Sequence, residues 1–128
     1  MPHLATCHCG AARVEVDRLP DTVTRCNCTW CERTGGLWGY YDPAEVRVLA
    51  APTATYAPNV VNEHHFCATC GGLMFNLTPK WGEANAEGGA EEGQVPTARQ
   101  YGLNMRMIDE DAVRALPVVD LDGRSGWG

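Results

Sequence analysis

The sequence predicts a mainly β domain with one or two short helices. Short segments in which apolar and polar residues alternate recur along the chain, as expected for strands with one buried face. Fourteen glycines and eight prolines among 128 residues indicate that many turns separate these segments. With 45% hydrophobic residues, the chain is long and apolar enough to build a single domain over residues 1–128.

The predicted strands share either this alternation or a run of β-branched and aromatic residues, which favour extended backbone. The clearest alternation is Arg13–Asp17, where valines and charged residues take turns. In chain order the predicted strands are Arg13–Asp17, Asp21–Arg25, Leu37–Tyr41, Glu45–Leu49, Val60–Phe66, Leu73–Leu77 and Leu103–Met107.

Helix signals are few. One helix is predicted to begin at Asp109, which can cap it, and to end before Pro117. A second helical turn is predicted inside the middle cysteine cluster, with Thr29 as its cap and Gly35-Gly36 at its end. Residues 82–97 are rich in alanine, glycine and glutamate without an apolar period, which predicts a surface loop.

The charge balance and the apolar pattern exclude two classes of partner. The net charge is −6 and no basic patch occurs, so nucleic acid is not an expected partner. No segment approaches the roughly 20 apolar residues that span a bilayer, and the first six residues carry no apolar signal stretch. The sequence therefore predicts a cytoplasmic protein without a membrane partner, and it is compatible with a homodimer.

Seven cysteines in three short clusters carry most of the functional information. The clusters are Cys7–Cys9, Cys26–Cys31 and Cys67–Cys70, with the spacings C-x-C, C-x-C-x-x-C and C-x-x-C. In a reducing compartment, such clusters indicate metal binding or catalysis before disulfides. An odd number of cysteines also argues against a fully paired disulfide framework.

Two interpretations without a metal stay open. Free buried thiols would explain scattered cysteines but rarely produce three clusters at ligand spacing. A thiol–disulfide redox role for Cys67 and Cys70 would call for a C-x-x-C motif at the start of a helix. Here Gly71-Gly72 and a predicted strand follow the motif instead.

The spacing divides the cysteines into a set of three and a set of four. Cys26, Cys28 and Cys31 lie within six residues and can reach one ion without help from the rest of the chain. Four thiolates are typical of a structural zinc, whereas three protein ligands with an exchangeable position are typical of a catalytic zinc. We therefore expect two zinc ions. The three-cysteine site is of the catalytic type, and the four-cysteine site is structural and consists of Cys7, Cys9, Cys67 and Cys70.

The fourth position of the three-cysteine site decides its chemistry. Left open, this position could accept water, a substrate thiol or an aldehyde oxygen, and a thiol bound to zinc loses its proton. Alternatively, a histidine side chain could complete the tetrahedron. The candidates for that role are His3, His8, His64 and His65.

Three motifs combine into a specific pattern: Cys7-His8-Cys9-Gly10-Ala11, Cys26-x-Cys28-x-x-Cys31 with Gly35 behind it, and Phe66-Cys67-x-x-Cys70-Gly71 followed by Leu73-Met74-Phe75. This pattern resembles the glutathione-dependent formaldehyde-activating enzyme family, which includes the centromere protein V relatives. The C-terminal stretch Asp122-Gly123-Arg124-Ser125 resembles the ending of the family. The resemblance implies a zinc-binding β-tent of small antiparallel sheets, and it implies the same division into a structural and a catalytic-type zinc.

The resemblance also implies a zinc-dependent carbon–sulfur lyase or synthase. A small thiol such as glutathione would take the open position and add to a small aldehyde such as formaldehyde, giving an S-(hydroxymethyl)glutathione-like adduct. The three cysteines would then be ligands and not nucleophiles, and no catalytic residue beyond the open zinc site is assigned. Arg33 is the candidate contact for a substrate carboxylate, because arginine matches carboxylates bidentately.

Two positions depart from the family pattern. Glu32 stands where the family usually has a basic residue, and Asn27 stands where it often has histidine. Glu32 would add negative charge beside an already anionic site, for which Arg33 or Arg25 could compensate. The competing hypothesis is a non-catalytic, zinc-stabilised binding module with a filled three-cysteine site. A metal store or sensor ranks last because the sites are few.

Overall fold

Two β-sheets are the main secondary structure in the computed structural model, which describes residues 2–58, 61–80 and 98–126. The mainly β prediction is therefore confirmed. The predicted surface loop at 82–97 lies outside the described residues. In chain order the strands are β1 (His3–Thr6), β2 (Arg13–Val16), β3 (Val23–Cys26), β4 (Trp38–Tyr41), β5 (Val46–Ala50), β6 (Ala54–Tyr56), β7 (Glu63–Phe66), β8 (Leu73–Pro79), β9 (Arg99–Asn104) and β10 (Val118–Leu121).

The smaller sheet has the order β1-β2-β5 and the larger one the order β10-β3-β4-β9-β8-β7-β6. Neighbouring strands are antiparallel in both sheets, with one exception that the sequence did not predict. Strand β10 pairs with β3 in parallel, so that Val118 lies opposite Val23 and Leu121 lies opposite Cys26. The C-terminal strand therefore runs beside the strand that leads into the middle cysteine cluster.

Short helical segments connect the strands or follow the last strand within the described ranges. None of them is long and apolar enough to cross a membrane. They are α1 (Thr29–Thr34), a 3-10 turn at Pro43–Glu45, a 3-10 turn at Met105–Met107, α2 (Asp111–Arg114) and α3 (Gly123–Gly126).

Both predicted helix caps are wrong by one residue. Cys28 caps α1 in place of Thr29, because its Sγ accepts a hydrogen bond from the amide of Cys31 at 3.3 Å. Glu110 precedes α2 in place of Asp109, whose carboxylate instead accepts a hydrogen bond from the side chain of Arg114 at 3.0 Å.

The predicted strand Leu103–Met107 is displaced in the structure, because β9 begins at Arg99 and ends at Asn104. The side chain of Asn104 accepts a hydrogen bond from the Arg106 amide at 3.3 Å, and the Met105 amide donates to the Leu37 carbonyl at 2.7 Å. Side-chain bonds of this kind compete with the strand ladder. The chain therefore turns at Met105, although its apolar alternation continues.

The core lies between the two sheets and includes two of the cysteines. Cys7 and Cys67 are both buried in it. An isolated bridge between Ala5 and Ile108 joins β1 to the segment after β9. The other buried residues of this core are Ala5, Ala12, Val14, Val16, Val23, Tyr41, Met74, Phe75, Leu103, Met105, Ile108 and Val113.

Candidate metal centres

The structure brings together both sets of cysteines that the spacing predicts. In each set, all sulfur atoms lie within 4.8 Å of one another. Each set could therefore hold one metal ion. The first set is Cys7, Cys9, Cys67 and Cys70, and the second is Cys26, Cys28 and Cys31.

The first half of the four-cysteine site is a tight turn after β1. The amide of Gly10 donates to the Cys7 carbonyl at 3.0 Å, and the amide of Cys7 donates to the Ala12 carbonyl at 3.2 Å. Gly10 has a φ of +83°, a conformation that glycine adopts without a steric penalty. The turn places the Sγ atoms of Cys7 and Cys9 3.6 Å apart.

The second half is a turn of the same design between β7 and β8. The amide of Gly71 donates to the Cys67 carbonyl at 2.8 Å, and the amide of Cys67 donates to the Gly72 carbonyl at 2.9 Å. Gly71 has a φ of +79°. This turn places Cys67 Sγ 3.6 Å from Cys9 Sγ, so the two turns face each other.

The four-cysteine site fits zinc by distance and by donor chemistry. Zinc–sulfur bonds of about 2.3 Å in a tetrahedron put neighbouring sulfurs roughly 3.8 Å apart. Backbone amides favour the thiolate form: the amide of Ala12 donates to Cys7 Sγ at 3.2 Å. The amides of Cys9 and Gly72 lower the pKa of the Cys70 thiol to about 6. Thiolates are the form in which cysteine binds zinc.

The three-cysteine site is built where β3 runs into α1. Cys26 is the last residue of β3, Cys28 caps α1, and Cys31 lies in its first turn. Gly35 ends the helix with a φ of +70° and donates its amide to the Cys31 carbonyl at 2.9 Å. The short helix therefore folds the C-x-C-x-x-C segment back on itself.

Burial and backbone amides set the charge preference of these three thiols. The amide of Cys28 donates to Cys26 Sγ at 3.4 Å, and the amide of Cys31 donates to Cys28 Sγ at 3.3 Å. Burial raises the pKa of the Cys26 and Cys31 thiols. A divalent cation would offset this cost, because it favours the thiolate form of each ligand. Three converging sulfur donors suit a metal ion with an affinity for thiolates, such as zinc.

No histidine, aspartate or glutamate among the described residues joins the three-cysteine site. The predicted alternative of a histidine as fourth ligand therefore has no support in the geometry. His3 instead contacts Glu110 with its Nδ1 at 2.8 Å, and His64 contacts Asn76 in the same way at 2.7 Å.

Trp38 and Tyr40 of β4 lie beside the three-cysteine site. The indole of Trp38 is 2% exposed, and its Nε1 has no hydrogen-bond partner among the described residues. Burial raises the pKa of the Cys31 thiol. Burial and the three nearby thiols together raise the pKa of Tyr40 to about 12. The site therefore has an aromatic wall with a hydroxyl at its edge.

A stack of three rings borders the same loop. Trp30, between Cys28 and Cys31, stacks on His64 with ring centroids 4.1 Å apart. Tyr56 lies 5.2 Å from the Trp30 ring and is 47% exposed. The stack anchors α1 against strands β6 and β7, which the sequence analysis did not foresee.

Glu32 and Arg33 differ in how far the structure engages them. Glu32 accepts a hydrogen bond from Arg124 Nη2 at 2.7 Å, so a cation already balances its charge. Arg25, which the sequence analysis proposed as a cation to compensate the charge of Glu32, instead donates to Asp120 Oδ1 at 2.7 Å. Arg33 is exposed, and its Nη1 donates to the Thr29 carbonyl at 2.9 Å. The residue that balances Glu32 thus comes from the C-terminal segment, which sequence reasoning noticed but gave no role.

Comparison with known proteins identifies one family. The family model for the glutathione-dependent formaldehyde-activating enzyme matches residues 2–100. A Halomonas elongata protein named after the same enzyme is 32% identical over 90 residues, which cover 61% of this chain and 57% of that protein. The match thus spans little more than half the length of this relative. A crystal structure of a Rhodobacter sphaeroides protein, 24% identical, superposes with a TM-score of 0.62 over 93% of this chain and 100% of that one. It shows the likeness of fold.

Proposed function

The chain belongs to the glutathione-dependent formaldehyde-activating enzyme family, and on that premise we propose that it is a zinc-dependent carbon–sulfur lyase or synthase. Its substrates are a small thiol and a small aldehyde, either glutathione and formaldehyde or a related pair. The product is an S-(hydroxymethyl)glutathione-like adduct, and the reverse reaction releases the aldehyde. The observation that carries the proposal is a cluster of three converging thiols that no fourth protein ligand joins among the described residues.

In this proposal Cys26, Cys28 and Cys31 hold a catalytic-type zinc. When bound, zinc supplies a positive charge that keeps a thiol deprotonated at neutral pH. The backbone amides of Cys28 and Cys31 orient the ligand sulfurs. The aromatic wall of Trp38 limits access of water from one side. Holding thiol and aldehyde together lowers the entropic cost of their reaction.

The four-cysteine site holds a structural zinc in this proposal. Its two turns belong to different sheets: Cys7 follows β1 of the smaller sheet, Cys67 follows β7 of the larger sheet, and both residues are buried. An ion bound between the turns ties these segments together. Its binding free energy then becomes folding free energy.

Arg33 is the proposed contact for the substrate carboxylate. Its guanidinium is exposed and uses Nη1 for the Thr29 carbonyl. The remaining nitrogens can meet a carboxylate in the bidentate manner of arginine. We further propose that residues 1–128 act as one domain in the cytoplasm, where free thiols stay reduced.

The proposal is tested by exchange kinetics. Thiols and aldehydes add to each other without a catalyst, so the rate must be measured against the protein-free background. We expect the zinc-loaded chain to accelerate the exchange between free formaldehyde and its glutathione adduct, measured by NMR with ¹³C-formaldehyde. Cys28→Ser should return the rate to background. Arg33→Gln should weaken glutathione binding, whereas Arg114→Gln, which removes a cation bound to Asp109 and Asp111, should not.

Two results would contradict the proposal. The wild-type chain could give the background rate for glutathione and for other small thiols and aldehydes alike. Alternatively, the acceleration could survive Cys28→Ser. The first result, together with two firmly bound zinc ions, would favour the binding-module hypothesis.

A further inference from the structure

Asn27 lies between two cysteines of the three-cysteine site, and the C-terminal segment binds all of its polar groups. Its amide donates to the Leu121 carbonyl at 3.1 Å, and its Nδ2 donates to Asp122 Oδ1 at 3.0 Å. Its Oδ1 accepts from the Arg124 amide at 2.9 Å, and its carbonyl accepts from Arg124 Nε at 3.1 Å. Asn27 is therefore held in place by hydrogen bonds to a segment that lies more than 90 residues further along the chain.

Arg124 joins this loop to α1 as well. Its Nε bonds to the Asn27 carbonyl, and its Nη2 bonds to Glu32 Oε2 at 2.7 Å. One guanidinium thus bridges the residue before Cys28 and the residue after Cys31. Arginine suits this role because its donors form a rigid planar fork.

Asp122 holds the segment in the shape that presents Arg124. Its Oδ1 accepts from the Asn27 side chain and from the Ser125 amide at 3.2 Å. The preceding strand β10 adds a parallel ladder with β3, with Leu121 opposite Cys26. The Asp122-Gly123-Arg124-Ser125 motif therefore has a defined task in the fold, although it lies beyond the 2–100 range of the family match.

From these contacts we infer that the C-terminal segment Leu121–Ser125 positions the ligands of the three-cysteine site, with Arg124 as its principal positioning residue. The segment holds the C-x-C step in the conformation that turns both sulfurs to one point. The segment also places the guanidinium of Arg124 against Glu32, and this positive charge offsets the repulsion between the Glu32 carboxylate and the thiolates of the site. The inference rests on the proposed function in one respect: the three-cysteine site must bind zinc.

The inference makes the C-terminal segment selective for one of the two sites. The four-cysteine site receives none of these hydrogen bonds, because its turns lie after β1 and after β7. Loss of Arg124 should therefore lower zinc affinity at the three-cysteine site alone. Outer-shell substitutions of this kind typically cost about 10- to 100-fold in metal affinity.

The experiment measures the zinc affinity of both sites by competition with a chromophoric chelator, without thiol or aldehyde. Arg124→Gln should weaken one zinc by about tenfold or more and leave the other unchanged. Arg124→Lys should recover part of the affinity, since lysine keeps the charge but not the fork. Asp122→Ala removes a different hydrogen bond between the C-terminal segment and Asn27, and it replaces Arg124→Gln if that variant does not fold. Arg114→Gln is the matched control for the loss of a surface arginine and should change neither affinity.

Three outcomes would count against the inference. If both sites of Arg124→Gln and of Asp122→Ala bind zinc as tightly as the sites of the wild-type chain, the inference is overturned and the proposed function is left intact. Equal weakening of both sites would also overturn it, because that indicates a general loss of stability. A wild-type chain that binds a single zinc ion would overturn the proposed function and the inference together.

Discussion

A Cβ atom on Gly72 would lie 3.0 Å from the Cβ of Cys7, so the second cysteine turn packs directly against the first. The same added atom would lie 3.5 Å from Cys70 Sγ. Glycine is thus required here for close approach of the two turns. The four-cysteine site should therefore be sensitive to substitution at Gly72, although Gly72 is not one of its proposed ligands.

We predict that Gly72→Ala pushes the two turns apart and weakens the four-cysteine site. Overpacking of this kind typically costs about 1–3 kcal/mol in the free energy of unfolding. Gly102→Ala is the matched control, because its Cβ would meet its nearest neighbour at an ordinary 3.5 Å. Denaturant unfolding of the zinc-loaded proteins measures the difference. Equal stabilities of the two variants would count against the close packing of the turns.

A corresponding prediction for the three-cysteine site concerns Gly36. A Cβ on Gly36 would lie 2.4 Å from Cζ2 of Trp38, so the indole beside Cys31 must move. We expect Gly36→Ala to lower zinc affinity at the three-cysteine site and to spare the other site. Chelator competition on Gly36→Ala and Gly72→Ala should therefore give opposite patterns. The same pattern in both would contradict the separate packing of the two sites.

Serine substitutions should separate a folding role from a metal-binding role. Cys67 is buried in the core, so Cys67→Ser should remove the structural ion and unfold the chain. Cys28→Ser should leave a folded protein that has lost one metal ion. Circular dichroism and metal analysis of the purified variants test both statements. Unfolding caused by Cys28→Ser alone would contradict the assignment of structural and catalytic-type sites.

His64 should titrate below the usual histidine range. Burial lowers its pKa from 6.5, because the charged ring is disfavoured where it stacks against Trp30. The unfolded chain then takes up a proton on this residue before the folded chain does. Its contribution to stability is therefore complete above about pH 6.5 and declines as the pH falls further. An NMR titration of the His64 ring measures the pKa, and a value at or above that of the denatured chain would contradict this prediction.

Local spacing was sufficient to predict the grouping of the cysteines. Cys26, Cys28 and Cys31 can meet because the intervening chain is short, and two turns of similar design remain for the other four. The same local signals predicted the strands around the clusters and the end of α1 at Gly35. The roles of these sulfurs as zinc ligands stay predictions.

The contacts that the sequence could not predict are long-range. Asn27 and Asp122 are 95 residues apart, and nothing in the pattern of either residue indicates their pairing. The parallel pairing of β10 with β3 escaped prediction for the same reason. In the predicted strand Leu103–Met107, the apolar alternation was misleading, because the side chain of Asn104 ends the strand pairing.

The central claim is that the three-cysteine site keeps a position open for a thiol. The most direct measurement is ¹¹³Cd NMR of the cadmium-loaded chain during titration with glutathione. We predict two resonances, of which one stays in place while the other shifts to the position of a site with an additional sulfur ligand. Two resonances that both remain unmoved, with no thiol bound, would contradict the claim.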